Sequence, residues 1–169
     1  YWDPFNDVWE WNGATWVQRS SSGLSWGRVY HTMAFDSARA VTVLFGGGPN
    51  PTGDPCEWNG TTWALRGVSG PASVGAMTYD SVRGVSVLFG GATNRETWEW
   101  DGTMWSQRLV TGPSPRYRHA MAYDSARGVT VLFGGNTAGS VPNGETWEWN
   151  GTVWAQRAAT GPSPRSSHA

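Results

Sequence analysis

Val129-Thr130-Val131-Leu132-Phe133-Gly134-Gly135 is the stretch that decides the fold, because the chain contains it three times with little change. The other two copies end at Gly47 and Gly91, so the run and its double glycine recur every 44 residues. A short apolar run closed by glycines is typical of a buried strand. A fixed period of about 20–50 residues indicates a fold built from stacked copies of one structural unit.

Two further motifs recur once in each unit. A tryptophan-rich motif reads Trp147-Glu148-Trp149-Asn150-Gly151 in its last copy and is followed by Trp154 and Arg157. Its other copies cover residues 9–13, 56–60 and 98–102. An Asp-Ser-Ala/Val-Arg-Gly/Ala motif precedes each apolar run, at residues 36–40, 80–84 and 124–128. These motifs divide each unit into strands and turns.

The last unit predicts four short strands. They cover residues 119–123, 129–133, 145–149 and 152–157. The first two are joined by a turn at residues 124–128, where Gly128 supplies a positive φ angle. Four antiparallel strands in a period of about 40–50 residues are typical of one blade of a β-propeller.

The Asn150-Gly151 pair predicts a two-residue type I′ hairpin between the third and fourth strands. In that register Trp149 lies opposite Thr152, and Trp147 lies opposite Trp154. Strand alternation then places the three tryptophans on one face and the intervening glutamate on the other. We expect this tryptophan face to pack against the neighbouring blade.

These units resemble kelch repeats, the propeller repeat also present in the central domain of galactose oxidase. The resemblance rests on the double glycine, the downstream tryptophans and an aromatic-Asp pair before the first turn, at Phe35-Asp36, Tyr79-Asp80 and Tyr123-Asp124. It extends over nearly the whole chain and is strongest to bacterial kelch proteins, which are mostly secreted or on the cell surface. It therefore implies an all-β, kelch-type β-propeller with an extracellular or cell-surface location.

The repeats form an incomplete ring. As one partial propeller over residues 1–169, the chain holds a blade fragment at 1–19, blades at 30–66, 75–108 and 118–157, and the start of another at 165–169. A closed propeller has about four to eight blades. We expect these three and a half blades to belong to a ring of six or seven. The alternative is a homo-oligomer that completes the ring, although the composite blade would lack its second strand.

Composition narrows the possible partners. The formal net charge is −1 and all 12 basic residues are arginine, which argues against a nucleic-acid partner. No apolar run approaches the roughly 18–20 residues of a membrane span.

Cys56 is the single cysteine. It replaces a repeat tryptophan, and we expect it to be a small buried residue. The chain begins at Tyr1 without a signal-peptide pattern, as a mature form or a fragment would.

No catalytic or metal-binding group stands out from the repeat. His31, His119 and His168 share one repeat position, so we interpret them as structural and expect blades to separate them. Galactose oxidase would imply copper, but three histidines at one repeated position do not support a metal or any other cofactor. The glutamates and arginines that occur in every blade predict blade-to-blade ion pairs or loop contacts, at Glu10, Glu57, Glu99, Glu148, Arg19, Arg66, Arg108 and Arg157. We therefore expect no enzymatic activity from this segment.

Sequence variation among the copies indicates where a partner binds. The second-to-third and fourth-to-first connections share one end of the ring and differ between blades, whereas the other turns are nearly invariant. Their aromatic and arginine side chains are the predicted binding residues: Trp26, Arg28, Tyr30, Arg116, Tyr117 and Arg118. We expect a protein- or glycan-binding module. The alternatives are an architectural repeat that forms a fibre or oligomer, and a propeller that frames a galactose-oxidase-like or glycosidase-like site outside this segment.

Overall fold

The structure, a computed structural model, describes residues 5–20, 24, 27–48, 54–68, 70–72, 75–91, 93–159 and 161–168. Within this part of the chain, strands form four antiparallel sheets, which we call blades I to IV in chain order. Blade I has two strands, and blades II, III and IV have four each, paired in sequential order. The predicted all-β fold of four-stranded antiparallel units is confirmed.

The strands follow the repeat closely. Blade I comprises β1 (Val8–Trp11) and β2 (Trp16–Ser20). Blade II comprises β3 (Thr32–Asp36), β4 (Val41–Phe45), β5 (Cys56–Trp58) and β6 (Trp63–Leu65). Blade III comprises β7 (Ala76–Asp80), β8 (Val85–Phe89), β9 (Thr97–Trp100) and β10 (Trp105–Arg108). Blade IV comprises β11 (Ala120–Asp124), β12 (Val129–Phe133), β13 (Thr146–Trp149) and β14 (Trp154–Ala158), with a 3-10 turn at Ala138–Ser140 before β13.

One aspartate builds the turn between the first and second strands of each full blade. In blade III, Asp80 Oδ1 accepts the backbone N–H groups of Val82 and Arg83 at 3.1 and 3.0 Å. Gly84 closes the turn at φ 69°, and its N–H donates to the Asp80 carbonyl at 2.9 Å. The Asp-Ser-x-Arg-Gly motif is therefore a turn whose aspartate satisfies backbone donors that no strand partner reaches.

The predicted two-residue hairpin is wrong. Trp149 pairs with Trp154, which leaves residues 150–153 as a four-residue loop. Asn150 lies outside the positive-φ region, and its Oδ1 accepts the backbone N–H groups of Thr152 and Val153 at 2.9 Å each. This side-chain turn replaces the type I′ geometry. The face prediction is nevertheless confirmed, because a shift of two residues keeps every side chain on its original face.

Tryptophan faces pack each blade onto the preceding one, as predicted. Trp149 and Trp154 of blade IV are buried in one cluster with Val87 and Phe89 of blade III. The rings of Phe89 and Trp154 meet edge to face, with centroids 5.2 Å apart. Trp105 packs in the same way on Phe45 of blade II. Each fully buried tryptophan contributes at most about 4–6 kcal/mol from its buried apolar area.

The first and last blades each leave one face uncovered, and the two faces differ: blade I exposes its tryptophan face and blade IV exposes the face that carries Phe133. Strand β7 contacts both β3 and β11, and these three first strands form the inner edge of the stack. At the blade I end, the tryptophan face is open: Trp11 is 53% exposed, whereas its counterpart Trp149 is 1% exposed. At the blade IV end, Phe133 is only partly buried, whereas Phe89 at the same position is fully buried. The blade I end therefore presents an uncovered tryptophan face. The blade IV end presents the uncovered face of the kind on which such tryptophans pack inside the stack.

Candidate functional site

The repeated glutamates anchor ion-pair networks inside each blade. In blade II the buried Glu57 accepts hydrogen bonds from Arg39 and Arg66, both at 2.7 Å. Arg39 also donates to Asp36 at 2.7 Å. Blades III and IV repeat these pairs with their own residues. The expected ion pairs between blades are therefore wrong, because each arginine is carried by the same sheet as its carboxylate.

A tryptophan supplies the polar contact between blades instead. The indole Nε1 of Trp100 donates to Glu57 Oε1 of the preceding blade at 3.0 Å. Trp58 and Glu10 repeat this bond at 2.9 Å one junction earlier. Burial alone would raise the pKa of Glu57, but its bonds from Arg39, Arg66 and Trp100 outweigh it and lower the pKa. A carboxylate held ionised and fully bonded in this way acts as a structural acceptor.

The histidines occupy separate blade junctions. His119 is buried, and its ring meets Phe89 of blade III with centroids 5.7 Å apart. Neither ring nitrogen of His119 has a hydrogen-bond partner among the described residues. Burial, followed by the positive charge of Arg116, lowers the pKa of this imidazole to about 4. His168 packs on Phe133 in the same manner at 5.5 Å, so the shared position has a packing role.

Two of the predicted binding residues are inside the protein. Arg116 is fully buried and donates to the carbonyl of Gly134 at 3.2 Å and to Glu145 at 2.6 Å. Arg28 is 9% exposed and donates to the carbonyl of Gly46 at 2.7 Å. The interpretation of these two arginines as surface groups is wrong, because they tie the connector between blades to the double-glycine turn.

Three of the other predicted residues meet at the end of the blades where the inner strands β3, β7 and β11 begin. Tyr30 is 82% exposed, Arg118 is exposed, and Tyr117 is half-buried with its hydroxyl 2.8 Å from the Ser140 hydroxyl. The Arg118 guanidinium carbon lies 5.6 Å from the centre of the Tyr117 ring, within cation–π range. Trp26 lies outside the described residues. Tyr30, Tyr117 and Arg118 line one cavity of about 550 Å³, which we call the end cavity.

The remaining walls of the end cavity come from residues that the sequence analysis did not predict to bind a partner. They are His31, Thr32, Gly75, Ala76 and His119. The cavity thus joins blades II, III and IV at the start of their inner strands. One sequence difference falls at this wall: blade III has Gly75 where blades II and IV have histidine, and a Cβ at Gly75 would lie 1.7 Å from the Phe89 carbonyl oxygen.

The residue before each histidine adopts an unusual backbone conformation. Tyr30, Arg118 and Ser167 have φ angles of 59°, 57° and 56°. The left-handed region costs an L-residue with a side chain about 1–2 kcal/mol. Glycine would adopt it at little cost, yet none of the three copies uses glycine here.

The described residues contain no group of three or more His, Cys, Asp or Glu side chains that could hold a metal ion. In the same part of the chain, no helix is long and apolar enough to cross a membrane. The polar side chains that line the end cavity are those of two tyrosines, two histidines, Thr32 and the exposed Arg118.

Comparison with known proteins supports the fold. No protein-family model matches the chain, and no curated protein matches it. The solved structure of YjhT is similar, with a TM-score of 0.71 and 14% sequence identity over 95% of this chain. The chain spans 61% of the length of that structure. At this identity the likeness shows the fold alone, and the four sheets are those of a partial β-propeller.

Proposed function

We propose that this chain is part of a kelch-type propeller of a secreted or surface protein and that it acts as a non-catalytic binding module. The proposed partner is a protein or a carbohydrate, which docks on Tyr30, Tyr117 and Arg118 at the end cavity. The kelch assignment is supported by the double glycines, the aromatic-Asp pairs and the tryptophan spacing in three consecutive units. One observation carries the function: two positions that favour glycine hold large exposed side chains, Tyr30 and Arg118.

The backbone cost of these positions supports a role for their side chains. The repeat requires the left-handed turn in all three copies, including Ser167. Burial of the Tyr30 side chain offsets little of the free-energy cost of its positive φ angle, because most of its surface is exposed. A costly conformation that holds an exposed tyrosine or arginine in place is consistent with a binding function.

The chemistry of the cavity fits recognition rather than catalysis. Tyrosine and arginine are the residue types that most often anchor protein partners, and tyrosine offers a rigid flat surface with a hydroxyl group. The carboxylates that could act as acids or bases are held in ion pairs within the blades, as at Glu57 and Glu148. The volume of about 550 Å³ is in the range of small-ligand and side-chain pockets.

A glycan array and a surface-displayed peptide library, both probed with the labelled chain, test this proposal. The chain should bind a defined subset of one library, and Tyr117→Ala and Arg118→Ala should each weaken that binding by about tenfold or more. Val82→Ser is the matched control, because Val82 is 73% exposed in a turn at the opposite end of the strands. Binding that survives both cavity variants, or no binding to either library, would contradict the proposal.

A second candidate function, an architectural repeat, is favoured by the two uncovered ends. Trp11 at the blade I end lacks the glutamate that its counterparts bond, and Glu148 at the blade IV end lacks a described indole donor. Two copies could repeat the internal junction head to tail. Sedimentation at increasing concentration should then show growing oligomers, and Glu148→Ala together with Trp11→Ala should abolish them. A chain that stays monomeric would rule out assembly through these faces alone.

A further inference from the structure

The end cavity carries a positive charge at neutral pH. The residues that line it include no aspartate or glutamate and one side chain with a permanent charge, Arg118. Burial and the positive charge of Arg116 lower the pKa of His119 to about 4, so this imidazole is neutral at pH 7. Shielding from water also lowers the pKa of His31 from its ordinary value of 6.5. The charge of the cavity is therefore that of Arg118, and it favours an anionic ligand.

Arg118 has no anionic partner in the described part of the chain. Most arginines are held by a carboxylate of their own blade, as Arg66 is by Glu57. Arg118 forms no such ion pair with any described residue. Its guanidinium is exposed and lies 5.6 Å from the centre of the Tyr117 ring. The N–H donors of this group are therefore left for an anion that comes from outside, and a carboxylate is the anion that matches their geometry among protein groups.

The middle of the end cavity consists of backbone that a peptide could bond. Gly75 and Ala76 of blade III line the cavity between the residues of blades II and IV. Gly75 has no side chain to cover its backbone, and Ala76 begins β7, which pairs with β8 alone and is the edge strand of its sheet. One side of an edge strand has N–H and C=O groups without a strand partner. An extended peptide bonds such groups by adding a strand, whereas a sugar has no matching row of donors and acceptors. This edge favours a peptide over a carbohydrate.

Two tyrosines line the cavity from the blades on either side of blade III, Tyr30 from blade II and Tyr117 from blade IV. Their flat rings can pack against a chain that lies between them. We propose that the partner at the end cavity is an acidic peptide segment, which lies extended over Gly75 and Ala76 and places a glutamate or aspartate carboxylate on Arg118. This inference rests on the proposed function and narrows its partner to one class.

Two immobilised libraries of short peptides test the inference. The libraries are identical except for the central residue of each peptide, which is glutamate in one library and glutamine in the other. The labelled chain should bind a subset of the glutamate peptides, and the glutamine copies of that subset should bind at least about tenfold more weakly. Added salt should weaken the binding, because it screens the pair of exposed charges.

A double-mutant cycle assigns this preference to one side chain. Fluorescence anisotropy measures the affinity of the parent chain and of Arg118→Gln for one bound peptide and for its glutamine copy. The variant should bind the two peptides within about threefold of each other. Arg95→Gln is the matched control: it also removes one exposed arginine, but outside the end cavity, and should keep the preference of the parent. The peptide pair needs no chain variant, so the test stays decisive if Arg118→Gln does not fold.

The outcomes separate this inference from the proposed function. Equal binding of the parent chain to the glutamate and glutamine peptides, or a preference that Arg118→Gln leaves intact, would overturn the acidic-peptide assignment and leave a binding function in place. Binding to a glycan array and to no peptide would also overturn the assignment, with a carbohydrate as the partner. Absence of binding to peptides and glycans alike would contradict both proposals.

Discussion

The indole Nε1 of Trp149 in blade IV donates a hydrogen bond of 3.0 Å to Oε1 of Glu99 in blade III. Arg83 and Arg108 of blade III hold the same carboxylate. The two preceding junctions repeat this indole-to-glutamate bond. Each junction between blades therefore includes one hydrogen bond from an indole to an ion-paired carboxylate, which is buried at Glu57 and Glu99 and partly exposed at Glu10.

Replacing Trp149 by phenylalanine removes the indole N–H donor but keeps an aromatic ring, and this change should destabilise the chain. Trp149→Phe loses the N–H group and part of the buried surface, and it leaves Glu99 with one partner fewer. We expect the free energy of unfolding to fall by about 2–4 kcal/mol, measured by urea unfolding. Trp11→Phe is the control and should cost under about 0.5 kcal/mol, because Trp11 is half exposed. Similar losses in both variants would show that the indole-to-glutamate bond contributes little.

The glutamate networks should make stability sensitive to acid. The pKa of Glu57 is lowered from its ordinary value of 4.5 in the folded chain, and that of Asp36 is also lowered. The unfolded chain therefore binds protons at higher pH than the folded one. The resulting stability is complete above pH 4.5 and is lost as the pH falls through the folded pKa values.

Urea unfolding between pH 7 and pH 3 measures this effect, and Glu57→Gln provides the comparison. The variant should be less stable at pH 7, because a neutral amide cannot replace the carboxylate that Arg39 and Arg66 bind. Its stability should also change less with pH than that of the parent. A parent chain whose stability is flat down to pH 3 would contradict a role for these networks in folding.

The double-glycine turn should tolerate no side chain where the next blade approaches. Gly90 has a φ of +88°, and a Cβ there would lie 3.0 Å from the Arg116 carbonyl oxygen and 3.1 Å from Cε1 of His119. Gly60 has nearly the same φ, +90°, but a Cβ there would meet nothing within 4 Å. Both alanine variants strain the backbone equally, so the difference between them isolates the close approach of blades III and IV.

Gly90→Ala should therefore cost about 1–3 kcal/mol more than Gly60→Ala in the free energy of unfolding. Chemical unfolding of the two variants in parallel provides the measurement. Equal costs would mean that the connector before β11 moves away from Gly90 without loss.

Glycine substitutions at the left-handed positions of the end cavity should weaken partner binding without lowering the stability of the chain. Tyr30→Gly and Arg118→Gly relieve the positive φ, so thermal unfolding should show unchanged or higher stability, by up to about 1 kcal/mol. The same variants should lose partner binding. Ser167→Gly, with the same φ, should gain stability similarly but keep its binding. Loss of stability in Tyr30→Gly would show that this side chain has a structural role.

Much of the fold and part of the candidate site could be predicted from the sequence. The strands of blade IV lie within two residues of their predicted bounds, because the apolar runs and the Asp-Ser-x-Arg-Gly turn are local signals. Tyr30, Tyr117 and Arg118 were identified from variation among the connectors, and the structure places all three on one cavity. The predicted hairpin register was wrong, because Asn150 uses its side chain rather than a type I′ backbone to make the turn.

The sequence by itself determined the repeat, the strand order and the face on which the tryptophans lie, since periodicity along a strand dictates which side chains share a face. Only the tertiary structure decided which polar groups are buried. Arg28 and Arg116 resemble Arg118 in sequence, yet the packing of each connector on the next double-glycine turn buries the first two and leaves the third exposed.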